Sequence, residues 1–127
     1  MGNHFSTHYT LAEARAMIPQ VREWLKQISQ LRHEHTEVSR CVNTMMKTQS
    51  DIGGMSINQS IKLLSKIQTV FSEFKNHQIQ IKDLERGLVD FPSRRGNREV
   101  FLCWEKDEED IDHWHELDAS YYSREPL

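Results

Sequence analysis

The chain has few of the residues that cross-link, stiffen or punctuate a fold. Two cysteines, Cys41 and Cys103, stand far apart in 127 residues, and there is no Cys-x-x-Cys pair. A disulfide framework is therefore excluded as the main source of stability, and both cysteines read as reduced thiols. Three prolines and five glycines leave room for long regular elements. No run of about 18 apolar residues occurs, so no membrane-spanning helix is expected. Met1-Gly2-Asn3-His4 has neither a basic start nor an apolar core, which argues against a secretory signal and for a cytoplasmic protein. Met1-Gly2 with Ser6 fits the myristoylation pattern, a short one that often matches by chance. Charge of one sign is not in excess: 16 Lys and Arg face 19 Asp and Glu, net −3 with a pI near 6.1. That balance argues against a general nucleic-acid binder. Internal repeats and low-complexity tracts are also lacking.

What is present is a wet but ordered composition. Hydrophobic residues make up 37%, charged residues 28%, and mean hydropathy is −0.70. Apolar residues recur throughout, which predicts a single domain over residues 1–127 rather than disorder. His4, Ser6 and His8 alternate with Phe5, Thr7 and Tyr9, an edge-strand pattern. Thr10 and Glu13 make a capping box, and Leu11, Ala14, Ile18, Val21, Leu25 and Ile28 follow a helical stripe. Pro19 interrupts that stripe, so the spacing predicts a short helix over 10–18, then a kink or break. A long helix follows, to about Lys47. Asp51-Ile52-Gly53-Gly54 punctuates the chain. Ser56 and Gln59 form a second capping box, and Ile57, Ile61, Leu64, Ile67, Phe71, Phe74, Ile81 and Leu84 carry a second long helix with Gly87 as its C-cap.

Residues 10–87 thus read as an antiparallel helical hairpin, and 88–127 as a small sheet with a C-terminal tail. Leu88–Phe91, Glu99–Trp104 and Ile111–Leu117 are the expected strands, with a turn over Ser93–Asn97. The fold class is α+β, a helical hairpin followed by a three-stranded antiparallel meander.

Several blocks resemble a family. Lys82-Asp83-Leu84-Glu85-Arg86-Gly87-Leu88-Val89-Asp90-Phe91-Pro92, Val100-Phe101-Leu102-Cys103-Trp104, Trp114-His115-Glu116 and Arg124-Glu125-Pro126-Leu127 are similar to signatures of the bacterial domain-of-unknown-function family 2203. Phe5-Ser6, Thr10-Leu11-Ala12-Glu13-Ala14 and Ile18-Pro19 look like its opening. The chain departs from the family pattern at Asp107-Glu108, where Gly-Glu is usual, and at Ser120–Arg124, where the family ending carries glycines. The resemblance implies the fold and no established activity. It also makes Trp114, His115, Glu116 and Arg124 part of family blocks, and leaves His113 outside them.

Four constellations could carry function. His113 and His115 lie two apart on a strand and share a face. Cys103, Asp90, Glu116, Glu85 or His8 could complete the set, and if Asp90, Cys103 and His115 face one way on adjacent strands they would form an N/O/S cluster able to hold zinc or iron. The structural alternative is a partly buried His115 bonded to Asp90 or Glu116. Cys103 and His115 with a carboxylate also have the residue types of a thiol nucleophile, but no local hydrolase signature accompanies them, so an enzymatic role is not favoured. Arg94, Arg95 and Arg98 surround Gly96 and could bind phosphate or pair with the acidic stretch Glu105–Asp110. The helices carry more apolar surface than a small sheet can cover, with Met17, Trp24, Met46, Leu63, Val70 and Ile79 beside the main stripes. That surplus predicts a homodimer through the helices. Arg124 is expected to pin the tail by pairing with Asp90 or Glu116. The leading expectation is a non-enzymatic scaffold or interaction protein, and the second is a metal-binding protein or metalloenzyme.

Overall fold

A computed structural model describes residues 3–47 and 54–127, with the side chains of residues 54–56 left out. The myristoylation pattern at Met1-Gly2 and the expected punctuation at 51–53 lie outside the described residues, and so does the Ser56 side chain. Two helices precede five strands: α1 Leu11–Lys47, α2 Gly54–Asn76, β1 Gln80–Asp83, β2 Leu88–Arg95, β3 Arg98–Glu105, β4 His113–Glu116 and β5 Glu125–Pro126. A 3-10 turn, Tyr121–Ser123, precedes β5. The class is α+β. The chain divides into two compact units, residues 1–23 with 73–127, and residues 24–72.

In the second unit, the C-terminal part of α1 pairs with α2. His35 Nε2 lies 2.9 Å from Ser60 Oγ. Gln27, Leu31 and Glu34 share a groove with Lys66, Thr69 and Val70, whereas Val38 and Val42 share one with Ile57 and Ile61. Rising numbers on one helix meet falling numbers on the other, so the pairing is antiparallel. The buried positions are Trp24, Leu25, Ile28, Leu63 and Val70. This corrects the stripe expected for α2: Ile57, Ile61 and Leu64 are half exposed, and the buried face is turned toward Leu63 and Val70.

The first unit begins with a tethered lead rather than the expected edge strand. The Tyr9 N–H donates to the carbonyl of Pro92 at 2.7 Å, and the Ser6 and Thr7 N–H groups both donate to Gln78 Oε1. Thr10 and Glu13 form the capping box: the Thr10 N–H donates to Glu13 Oε1 at 3.0 Å, and the Glu13 N–H to Thr10 Oγ1 at 3.1 Å. Two orphan donors of the helix start are thereby satisfied. The helix is one element from Leu11 to Lys47, so the expected break at Pro19 does not occur. Proline removes the bond to the carbonyl four residues back, that of Arg15, and one missing bond in a 37-residue helix is outweighed by the buried Ala14, Ile18 and Val21 around it.

The second helix ends at Asn76, eleven residues before the expected cap. Its terminus is a Schellman motif. The Ile79 N–H donates to the Phe74 carbonyl at 3.0 Å, the Gln78 N–H to the Lys75 carbonyl at 3.1 Å, and Gln78 takes the left-handed conformation at φ 58°. Phe74 and Ile79, both buried, bracket the motif. Gly87 is also left-handed, at φ 65°, but it turns β1 into β2 rather than capping a helix.

The sheet is a meander in the order β1-β2-β3-β4-β5 with every pair antiparallel, five strands instead of three. The additional strands are the short edges β1 and β5. Pro92 is tolerated inside β2 because the β1 ladder stops at Asp90, leaving Pro92 beyond that partner. The β2–β3 turn is Gly96-Asn97 alone, with glycine first at φ 63° as a two-residue hairpin favours. One face carries Val89, Phe91, Val100, Leu102 and Trp104, all buried. Tyr9 meets Phe91 edge-on at 5.5 Å, and the Arg22 guanidinium lies 4.8 Å over the Trp104 ring. The opposite face carries Asp90, Phe101, Cys103 and His115.

Candidate metal centre

Strand register assembles the centre. Asp90 pairs with Cys103 across β2–β3, and Phe101 pairs with His115 across β3–β4. Side chains alternate along a strand, so Asp90, Cys103 and His115 all leave the sheet on the same side. All three are buried, at 1%, 1% and 3% exposure. One carboxylate oxygen, one sulfur and one ring nitrogen lie within 4.8 Å of one another.

Both ring nitrogens of His115 face acceptors. Nε2 lies 2.9 Å from Asp90 Oδ2, and Nδ1 lies 2.8 Å from the Glu116 carbonyl. A neutral imidazole has one N–H and can satisfy one acceptor, so this geometry calls for the imidazolium. Burial alone would lower the His115 pKa. The bonds to Asp90 and Cys103, the Asp90 charge and the Glu116 carbonyl prevail and raise it to about 10. The other carboxylate oxygen, Asp90 Oδ1, is buried without a hydrogen-bond partner among the described residues, as is His113 Nδ1. An unmatched buried acceptor is costly, and a bound ion is one way of satisfying it.

Above the centre lies a cavity of about 340 Å³, lined at its floor by Asp90, Cys103 and His115. Its wall includes Arg86 and Tyr121. Arg86 Nε and Nη2 donate to the two carboxylate oxygens of Glu105 at 3.0 and 3.1 Å, and its guanidinium stacks 4.2 Å from the Tyr121 ring. Arg124 covers the ring's surroundings from the tail, with its guanidinium 4.3 Å from Tyr121. Its Nη1 donates to Glu108 Oε1 at 2.9 Å and touches Cys103 Sγ at 4.0 Å. The tail is thus pinned as expected, but by Glu108 rather than Asp90 or Glu116. Asp90 is already engaged by His115, and Glu116 accepts from Arg98 at 2.7 Å.

The structure brings together three of the four residues singled out for a metal. His113 stands outside the group, with Nδ1 3.6 Å from Glu108 Oε2, a loose ion-pair distance. Trp114 is on the other face, with the Arg95 guanidinium 4.3 Å over its ring. The arginine turn does not pair with the acidic stretch, since a hairpin turn and the next inter-strand loop lie at opposite ends of their shared strand. Glu105, Glu108 and Asp110 are instead met by Arg86, Arg124 and Arg15. Glu108, Arg86 and Tyr121 were not legible as neighbours of the centre. Only the block Lys82–Pro92, which holds Arg86 and Asp90 together, hinted at them.

No helix among the described residues is long and apolar enough to cross a membrane. No curated protein and no solved structure matches the chain. One family model, described as an uncharacterized conserved protein (DUF2203), matches residues 7–127, essentially the whole chain.

Proposed function

The chain belongs to the DUF2203 family of uncharacterized conserved proteins, and we propose that it binds one divalent transition metal, zinc or iron, through Asp90, Cys103 and His115. The observation that carries this reading is the buried Asp90 Oδ1 without a partner, inside a group whose oxygen, sulfur and nitrogen atoms lie within 4.8 Å. Thiolate, imidazole and carboxylate together suit zinc, at about 2.3 Å for sulfur and about 2.0–2.2 Å for nitrogen and oxygen. Without metal, His115 Nε2–H donates to Asp90 Oδ2. A bound metal would displace that proton and the one on the Cys103 thiol, and the Nδ1–H bond to Glu116 would keep the ring oriented as a supporting partner does in metal sites. Three protein ligands leave one position of a tetrahedron for a ligand from the cavity, the arrangement of metal sites that do chemistry rather than only brace a fold.

Elemental analysis tests the reading. Protein equilibrated with zinc or iron and then desalted should retain one equivalent per chain. Cys103→Ser and His115→Ala should lose it, whereas His113→Ala should retain it. Failure of the unaltered protein to retain metal would sink the proposal.

A second reading, a non-enzymatic scaffold that homodimerises through its helices, draws support from the second unit. Met46, Ile57, Ile61 and Leu64 are 60%, 50%, 59% and 50% exposed. A cluster of large exposed apolar side chains favours a contact surface. Light scattering at tens of micromolar would give twice the 15.0 kDa chain mass for the dimer, and the chain mass itself would reject it.

A further inference from the structure

Among the described residues, one cation lining the cavity has no carboxylate in ion-pair range. Arg86 is held by Glu105, Arg124 by Glu108 and His115 by Asp90. Lys82 also lines the cavity, and among the described residues no carboxylate comes within ion-pair range of it. Its Nζ lies instead 5.0 Å over the Phe101 ring. That ring is 5.5 Å from the His115 imidazole. The ammonium and the imidazole therefore contact the same phenyl group and line the same cavity, with the Lys82 side chain itself exposed. Asp83, the neighbouring acid in the wall, uses Oδ1 to accept the Arg86 N–H at 3.1 Å.

Charge counting points the same way. A divalent metal held by a thiolate, a carboxylate and a neutral imidazole forms a neutral centre, so the Lys82 charge persists after loading. The rest of the wall is aromatic and weakly polar. Tyr121 is fixed between two guanidinium groups, and Tyr122 meets it edge-on at 5.5 Å while remaining 88% exposed. An exposed tyrosine at a cavity rim offers a flat surface without a protein partner for its free face. The volume, about 340 Å³, is within the range of sites that take small molecules.

Resting on the metal reading, we infer that this cavity takes a small organic carboxylate, whose carboxylate group occupies the open metal position on the Lys82 side of the cavity and whose body lies against Tyr122. Lys82 supplies the counter-charge and Tyr122 an apolar surface, so the site selects an anion with a flat or apolar body over its neutral analogue.

The test uses the full chain loaded with cobalt(II), a coloured substitute for zinc, and benzoate as the probe. Titration with benzoate should move the visible cobalt bands saturably, and benzyl alcohol, the neutral analogue, should leave them in place. Lys82→Met should weaken benzoate binding by about tenfold or more, and Tyr122→Ala by a smaller factor, with cobalt uptake unchanged in both. Both residues are exposed, so neither variant endangers the fold. If cobalt binds and its bands ignore benzoate, or respond equally to benzyl alcohol, the carboxylate inference is overturned and the metal reading stands. If cobalt does not bind, both fall together.

Discussion

Asp90→Asn isolates the charge of the buried pair with little change in shape. In metal-free protein the His115 imidazolium is 3% exposed and bonded to Asp90 at 2.9 Å. A histidine pKa raised from 6.5 to about 10 corresponds to roughly 5 kcal/mol, at about 1.4 kcal/mol for each tenfold. Breaking a buried pair by removing one partner costs about 3–5 kcal/mol, because the remaining charge is left uncompensated. The two figures agree in size, and the smaller is the safer expectation. The sign with pH follows from the raised pKa. The unfolded chain gives up its proton near 6.5 and the folded one near 10. The contribution is therefore complete below 6.5 and is lost as pH rises from there toward 10. Urea unfolding of EDTA-treated protein should give Asp90→Asn a deficit of about 3–5 kcal/mol at pH 6, narrowing steadily toward pH 10. A deficit below about 1 kcal/mol at pH 6, or one constant across that range, would refute a charged pair at the centre.

Three further outcomes test the surrounding structure. Thr10→Ala removes one half of the capping box and should cost about 1 kcal/mol, measured by urea unfolding. Gly87→Ala should destabilise by about 1–2 kcal/mol or more, since alanine resists φ 65° and its Cβ would come 2.7 Å from the Lys106 side chain. For Glu99, burial favours the protonated acid. Bonds from His8 at 2.9 Å and from the His4 and Phe5 N–H groups prevail and hold its pKa at about 2. Its contribution is present above the ordinary carboxylate pKa near 4.5 and is lost as pH falls toward 2. Protection of the Phe5 amide against hydrogen exchange, relative to its intrinsic rate at each pH, should fall over that interval in the unaltered protein, and be lost at neutral pH in Glu99→Ala.

Much of the fold was legible because its signals are local. The Thr10–Glu13 box, the β-prone apolar run at Val100–Trp104 and the Leu88 strand each depend on a few adjacent residues. The end of α2 was not, because its left-handed cap is Gln78 rather than glycine, and the cost of that φ is offset by the Schellman bonds and by Gln78 holding the lead at Ser6 and Thr7. Ile81 and Leu84 keep a helical spacing with Phe74, so the period alone could not separate a turn and strand from a continued helix. The site divides in the same manner. Residue types pointed to Asp90, Cys103 and His115. Their meeting depends on a register across three strands that no local pattern encodes. His113 shares a face with His115 but faces Glu108, and Arg124 reaches Glu108 and the Cys103 sulfur, choices made by the loop after β3.

The central claim is that Asp90, Cys103 and His115 hold one metal ion. X-ray absorption on zinc-loaded protein reads that coordination directly. A single sulfur at about 2.3 Å with nitrogen and oxygen neighbours at about 2.0–2.2 Å is expected, with loss of the sulfur shell in Cys103→Ser. A spectrum with nitrogen and oxygen neighbours alone in the unaltered protein would contradict it.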